Sequence, residues 1–401
     1  MSADSSEDNI VITDSLTDRY ASLSLIPWWS QQRIADARIM VVGAGALGNE
    51  VLKNLALVGI GNIFIIDFDT IEDANLTRAV LFRASDNGRS KAEVAAERVK
   101  ELNPDVKVKC VDGDVTRSVG LGVFRRMDVV IGCLDNRDAR LFVNRACWKV
   151  GTPWVDGAIE EMNGIARAFV PPDGACYECT LTENDYRLMN VRYSCPGLTR
   201  EDIVEGKIPT TPTIASIIAG IQTQDALKLL HGRHVEGGAA VVFNGLTNDC
   251  YPTRYPRKKD CESHYTYVAV AQLDRSVGDT TVGEMLDIAR RELAADAVLE
   301  LDEDLVVNVS CSNTYCTECG NTSVMYTPLK DLRRVDVACP GCGEDRALEM
   351  TCTVDGADGE LLRKKLEEIG MPPLHIVATR AGSSYQYFEL SGDENGTMDF
   401  R

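Results

Sequence analysis

No stretch of the 401-residue chain approaches the roughly 18 consecutive apolar residues of a bilayer-spanning helix, so no transmembrane segment is expected. Basic residues are few beside acidic ones, 42 Lys and Arg against 61 Asp and Glu, a net charge of -19. That balance disfavours nucleic-acid binding through a general basic surface, because neutralising phosphates needs Lys and Arg. A positively charged apolar leader is lacking as well. Met1 to Ser15 is acidic and polar, the reverse of a signal peptide, and residues 1–16 read as a disordered lead-in. There is no internal repeat. These absences leave a cytoplasmic globular chain with room for two or three domains.

From Arg38 to about Asp156 short apolar runs alternate with amphipathic stretches. The pattern predicts strands at Ile39–Val42, Ile63–Asp67, Val106–Val111, Val129–Cys133 and Pro153–Asp156. Helices are predicted at Leu47–Val58, Ser90–Asn103 and Arg137–Val150, which together make a doubly wound, Rossmann-like α/β unit with a mostly parallel sheet. A buried helix is expected from about Thr213 to His231.

Gly43-Ala44-Gly45-Ala46-Leu47-Gly48 sits between the first strand and the first helix. Strand, glycine turn and helix start form the layout that seats a phosphate on a helix N-terminus. Asp67 ends the next strand, where a carboxylate can hold ribose hydroxyls. The motif by itself usually means a dinucleotide. Its companions argue for ATP: Asp67 and Asp69, then Asn75 and Arg78, then Lys91, then Asp135 and Asn136. Hydride transfer has no evident use for that set, whereas attack on a nucleotide α-phosphate does.

"GAGALGNEVLKNLALVGIGNIFIIDFDTIEDANLTR", followed by "LFRASDNGRSKAEVAAERV", closely resembles the adenylation domain of ubiquitin-like-protein activating enzymes, a family that includes the MoeB/ThiF-type sulfur-carrier activators. The wording is most similar to the catalytic subunits of the eukaryotic enzymes. The resemblance implies that Asp67 binds ribose, Asn75 and Arg78 meet phosphate oxygens, Lys91 reaches phosphate and Asp135 holds Mg²⁺. It also implies a dimer, homomeric or heteromeric. Two positions depart from the family. Ala79 stands where Gln usually follows the arginine of N-L-x-R. Ser22 stands where an arginine crosses the dimer interface to the partner's ATP, a role that would pass to Arg19, to Arg33 or to another subunit.

Fourteen cysteines would permit disulfides, but three C-x-x-C pairs in a chain without a secretion signal read as zinc ligands. Cys176 and Cys179 resemble the first half of the family's structural zinc site. The second half is usually another C-x-x-C; here it is Cys261-Glu262-Ser263-His264, with Cys250 as the substitute ligand. Cys195, in Tyr193-Ser194-Cys195-Pro196, lies in the crossover region where family members place their thioester- or sulfur-transfer cysteine, and neither zinc set needs it. Cys133 and Cys147 look structural.

Beyond a boundary near Tyr265 to Asp279 the pattern predicts a smaller α+β unit, residues 265–401 against 17–264 for the first. It reads as a strand (Tyr265–Ala271), a helix (Val282–Ala294), a strand (Leu305–Ser310), a cysteine-rich insert, a helix (Gly359–Ile369) and strands Leu374–Thr379 and Tyr385–Leu390. Within the insert, at about 311–350, Cys316, Cys319, Cys339 and Cys342 form two glycine-flanked knuckles with zinc-ribbon spacing. The ribbon has too few basic residues, and no aromatic interleaving, to suit nucleic acid. "TVGEMLDIAR" and "LLRKKLEEIGMPPLHIVATRAGSSYQYFEL" resemble the ubiquitin-fold domain by which eukaryotic activating enzymes recruit a conjugating enzyme.

The sequence thus points to ATP- and Mg²⁺-dependent adenylation of a ubiquitin-like protein, thioester formation on Cys195 and hand-over to a conjugating enzyme, with two Zn²⁺ per chain. The alternative is an adenylyltransferase for a sulfur-carrier protein. Further readings are a nicotinamide-dependent oxidoreductase and a non-catalytic zinc-ribbon binding protein.

Overall fold

Alternation along the first strands sorts their side chains onto two faces, as the twofold period of a strand requires. In β1 (Arg38–Val42) and β2 (Asn62–Asp67), Ile39, Val41, Ile63 and Ile65 enter one core, while Met40, Val42, Phe64 and Ile66 enter another. A sheet buried on both faces must be covered on both, and it is. Helices Ala46–Val58, Lys91–Leu102 and Pro212–Leu230 cover the first face. Helix Arg137–Val150 and the short turns Val115–Ser118 and Leu121–Arg125 cover the second. The computed structural model describes residues 18–186, 209–311, 313, 315–316 and 322–400.

The first sheet has eight strands in the order β3-β2-β1-β4-β5-β6-β7-β8. β3 (Lys107–Asp112), β2, β1, β4 (Val129–Gly132) and β5 (Trp154–Glu160) run parallel. β6 (Asn163–Phe169), β7 (Ala239–Asn244) and β8 (Asp249–Arg254) continue it antiparallel. Strand order reverses between β1 and β4, and in open α/β sheets ligands bind outside the carboxyl ends of the strands at such a point. The Rossmann-like expectation for this half is met, the long helix included.

The second sheet is mixed: β9 (Val270–Leu273) pairs parallel with β14 (Ser384–Leu390), which pairs with β13 (Ile376–Ala381), then β10 (Val298–Cys311). β10 also pairs with β11 (Thr322–Pro328) and β12 (Arg346–Val354). Helix Val282–Glu292 packs across this sheet through Val282, Met285, Leu286 and Ala289. Its start is a reciprocal cap: Thr281 Oγ1 accepts from the Glu284 N–H, and Glu284 Oε2 accepts from the Thr281 N–H at 2.9 Å.

Three expectations need revision here. The helix expected at Gly359–Ile369 is two short 3₁₀ turns, Leu361–Arg363 and Glu367–Ile369, broken at Lys364. Tertiary contacts take its backbone groups: the Lys364 carbonyl accepts from the Val282 N–H, and the Leu366 N–H donates to the Thr280 carbonyl. The strand expected from Tyr265 starts only at Val270. Tyr267 instead stacks on Tyr387 at 3.9 Å, and its N–H donates to the Lys149 carbonyl. The cysteine-rich region is continuous with the sheet, because β10 runs on to Cys311 and β11 and β12 pair with its far half.

The two sheets share a core. Leu374, Ile376 and Tyr387 pack with Val115, Val119, Leu121 and Phe124. The Gly120 and Gly122 N–H groups donate to the Pro373 and Leu374 carbonyls. Glu389, fully buried, lies 3.0 Å from Arg125 and 2.7 Å from Arg126, and Arg126 also pairs with Glu394. Glu389→Ala should therefore destabilise the full chain by about 1.5 to 3 kcal/mol, the scale of a lost charge-assisted hydrogen bond, since Arg125 reaches solvent and Arg126 keeps Glu394. Urea unfolding checks it, with a loss under about 1 kcal/mol, the surface-pair scale, as the contrary result.

Candidate functional site

The glycine turn explains its own glycines. Gly43 has φ +94°, and a Cβ there would lie 2.5 Å from the Cys133 carbonyl oxygen. A Cβ on Gly48 would lie 2.0 Å from the Gly43 carbonyl oxygen. Gly45 caps the Ala46–Val58 helix without a side chain, has nothing within 4 Å in the Cβ direction, and lines a crevice. The crevice measures about 1840 Å³ and lies at the carboxyl ends of the parallel strands.

Asp67 closes the turn from the next strand. Its Oδ2 accepts from the Ala44 N–H at 2.6 Å and its Oδ1 from the Asp69 N–H at 2.8 Å. Burial pushes its carboxyl above the usual range, and the Lys91 charge opposes that rise. Lys91, at the start of its helix, is buried and pairs with Asp69 at 2.8 Å. Asn75 is turned back toward Glu72, its Oδ1 accepting from the Glu72 N–H. Arg78 Nη1 donates to the Ala74 carbonyl at 3.3 Å. Ala79, in place of the family glutamine, is buried. Across the crevice Asn136, not Asp135, caps helix Arg137–Val150: its Oδ1 accepts from the Ala139 N–H at 2.8 Å, and its Nδ2 donates to Asp135.

Gly43, Gly45, Asp67, Asp69, Asn75, Arg78, Lys91, Asp135 and Asn136 all line this one crevice, while Gly48 sits behind it. Arg19 donates to the Leu102 carbonyl, and neither Arg19 nor Arg33 lines the crevice of its own chain. Cys195 falls outside the described residues. The segments flanking that stretch both reach the rim, at Tyr186 and Thr210. Tyr186 donates to Glu178, and the Thr211 N–H to the Glu161 carbonyl.

Several contributors escaped the sequence reading. Asn49, fully buried, donates to the Ala44 and Gly45 carbonyls at 2.7 and 3.0 Å and accepts from the Leu81 N–H at 2.8 Å. It ties the glycine turn to the segment following Arg78. The buried Asp156 carboxylate pairs with Arg140 at 3.0 Å and with Arg167, fixing the floor. An arginine following closely on the Asp135-Asn136 pair was the available signal.

Cys176, Cys179, Cys261 and His264 converge, with all four ligand atoms within 4.8 Å of one another. Cys176 Sγ lies 3.7 Å from Cys179 Sγ and 3.5 Å from Cys261 Sγ, and Cys179 Sγ lies 3.4 Å from His264 Nε2. Tetrahedral zinc with bonds of about 2.3 Å to sulfur sets sulfur atoms about 3.8 Å apart, so the set fits. Cys250 is exposed on β8 and is not in this group. Hydrogen bonds from Cys176 and Cys261 hold the Cys179 thiol well below its ordinary range.

A second group forms among the described residues. Cys316, Cys339 and Cys342 are joined by Cys311, the last residue of β10. Cys319 lies outside the described residues. The Cys311–Cys342 and Cys316–Cys339 sulfur separations are 3.7 and 3.8 Å, again the tetrahedral spacing. The Cys342 N–H beside Cys339 pushes its thiol down to about 6. Burial raises the Cys133 and Cys147 thiols, in keeping with structural roles.

Residues 17–264 match the ThiF family, and the chain belongs to it. The SAMP-activating enzyme E1 of Haloferax volcanii is 37% identical over 233 residues, 58% of this chain and 81% of that protein. The sulfur carrier protein adenylyltransferase of Thermus thermophilus is 32% identical over 223 residues, 54% of this chain and 78% of that protein. Ubiquitin-like modifier-activating enzyme 5 of Dictyostelium discoideum is 30% identical over 213 residues, 50% and 54% of the two chains. Among solved structures, E. coli MccB with ATP superposes with a TM-score of 0.52 at 22% identity, covering 63% of this chain and 75% of that one, a likeness of fold. Among the described residues no helix is long and apolar enough to cross a membrane.

Proposed function

We propose that the chain adenylates the C-terminal carboxylate of a ubiquitin-like β-grasp protein. The observation that carries this reading is the convergence of Asp67, Arg78, Lys91 and Asp135 on the crevice beside the glycine turn. In this reading a carboxylate oxygen attacks the α-phosphorus of ATP, the bond to the β-phosphate breaks, and pyrophosphate leaves. Two anions must meet, so the site has to supply positive charge and orientation. Arg78 and Lys91 give the charge; Lys91 leaves Asp69 for a phosphate. Asp67 holds the ribose, the Gly43–Gly48 turn receives phosphate, and Asn75 and Asn136 orient it. Asp135 would hold Mg²⁺, which when bound offsets phosphate charge.

We propose further that Cys195 attacks the acyl adenylate as a thiolate, giving a thioester and releasing AMP, and that the C-terminal unit presents the thioester to a conjugating enzyme. The reading takes the enzyme as a cytoplasmic dimer. A second reading stops at adenylation of a sulfur carrier, and it is favoured by the relatives that carry that name. Co-expression with small β-grasp proteins separates them: an ATP-dependent, thiol-labile adduct supports the thioester, and adenylation with no adduct in any variant supports the second reading.

Both cysteine groups fit zinc. Elemental analysis of protein purified without added metal should give two zinc per chain. Cys311→Ala should lower it toward one, and His264→Ala should lower it independently. An unchanged content in Cys311→Ala would remove Cys311 from the ligand set.

A further inference from the structure

We infer that the C-terminal unit supplies one wall of the nucleotide's base pocket, through residues Leu329 to Leu332, and so is part of the ATP site. The inference rests on the ATP reading above and on strand order. Phosphates sit at the turn after β1, and ribose at Asp67, the end of β2. The next position along β3-β2-β1 is the end of β3 and the segment after it, Gly113 to Arg117. That segment is tied to the ribose position, since the Gly113 N–H donates to the Asp67 carbonyl at 3.1 Å.

Facing that segment, the crevice is lined by Leu329, Lys330 and Leu332, which the sequence assigns to the other unit. The contact is held by specific bonds. Lys330 Nζ donates to the Thr116 carbonyl at 2.6 Å and pairs with Glu303 at 2.6 Å. Arg117 pairs with Asp331 at 2.8 Å and donates to the Lys330 carbonyl. Behind the wall Leu332 is buried against Val306, Val309 and Val337, two residues before Cys339 of the second cysteine group. Leu329 and the Lys330 stem, backed by the buried Leu332, give an apolar surface suited to a flat heteroaromatic base. Leu329 is the contact residue. Lys330 is a positioning residue that acts through the Thr116 carbonyl.

The test is calorimetric binding of ATP and of inorganic tripolyphosphate to the full-length chain. Tripolyphosphate reaches only the phosphate end. Lys330→Ala and Leu329→Ala should each weaken ATP about tenfold, the worth of one charge-assisted hydrogen bond or of a lost apolar contact, and leave tripolyphosphate unchanged. Lys330→Arg keeps a donor for Thr116 and should bind ATP nearly as wild type does. ATP binding within about twofold of wild type in both alanine variants overturns the inference, as does an equal loss of ATP and tripolyphosphate. Wild-type protein that binds neither ligand would instead overturn the ATP reading itself.

Discussion

Asp135→Ala should abolish the proposed adenylation while leaving the protein folded. Asp135 follows the end of β4 and lines the same crevice as Lys91 and Arg78. The helix cap beside it belongs to Asn136, so the fold does not need the Asp135 carboxylate for that purpose. Losing it removes the anionic ligand proposed for Mg²⁺ and leaves the phosphate charge unbalanced as pyrophosphate departs. Arg78→Ala and Lys91→Ala should each lower pyrophosphate–ATP exchange by about 10²-fold or more, the scale of one preorganised charge-stabilising group. Exchange is read with the protein substrate present, beside a thermal melt of each variant. Near-normal exchange in Asp135→Ala would remove that residue from the chemistry.

Cys195→Ala separates the two half-reactions. The adenylate forms before any cysteine is acylated, so exchange should stay at the wild-type level while the thiol-labile adduct disappears. A free thiolate is what the second step requires. Most of the described cysteines are poorly suited. Burial raises the Cys133 and Cys147 thiols, which disfavours their thiolates. Cys176, Cys179 and Cys261 fall in one group that fits a metal, and Cys311, Cys316, Cys339 and Cys342 in another. An adduct that survives in Cys195→Ala would move the role to the exposed Cys250.

The Rossmann-like half was legible because its constraints are local. A left-handed Gly43, a crowded Gly48 and an aspartate ending the next strand are visible as residue types at fixed spacing. The convergence of Cys176, Cys179, Cys261 and His264 was legible by resemblance, even with histidine in place of cysteine. What stayed hidden depends on tertiary placement. Cys311 lies outside any C-x-x-C pair and joins the second group only because β10 runs on to deliver it there. The Gly359–Ile369 segment has helical composition, but hydrogen bonds to Thr280 and Val282 hold it open at Lys364. Glu389 gives no sign in sequence that Arg125 and Arg126 will meet it. A chain that reads as two units joined by a boundary is therefore tied through a common core. Truncation near Val268 would expose Val119, Leu121 and the base end of the crevice, and would not simply remove a recruitment arm.

The central claim is that this crevice activates a protein's carboxylate with ATP. Its most direct test is pyrophosphate–ATP exchange by the full-length chain, with and without a β-grasp protein bearing a free C-terminal carboxylate. The account predicts exchange that requires that protein, is lost when its carboxylate is amidated, and is lost in Asp135→Ala. Tight NAD binding with no exchange under any of these conditions would contradict it.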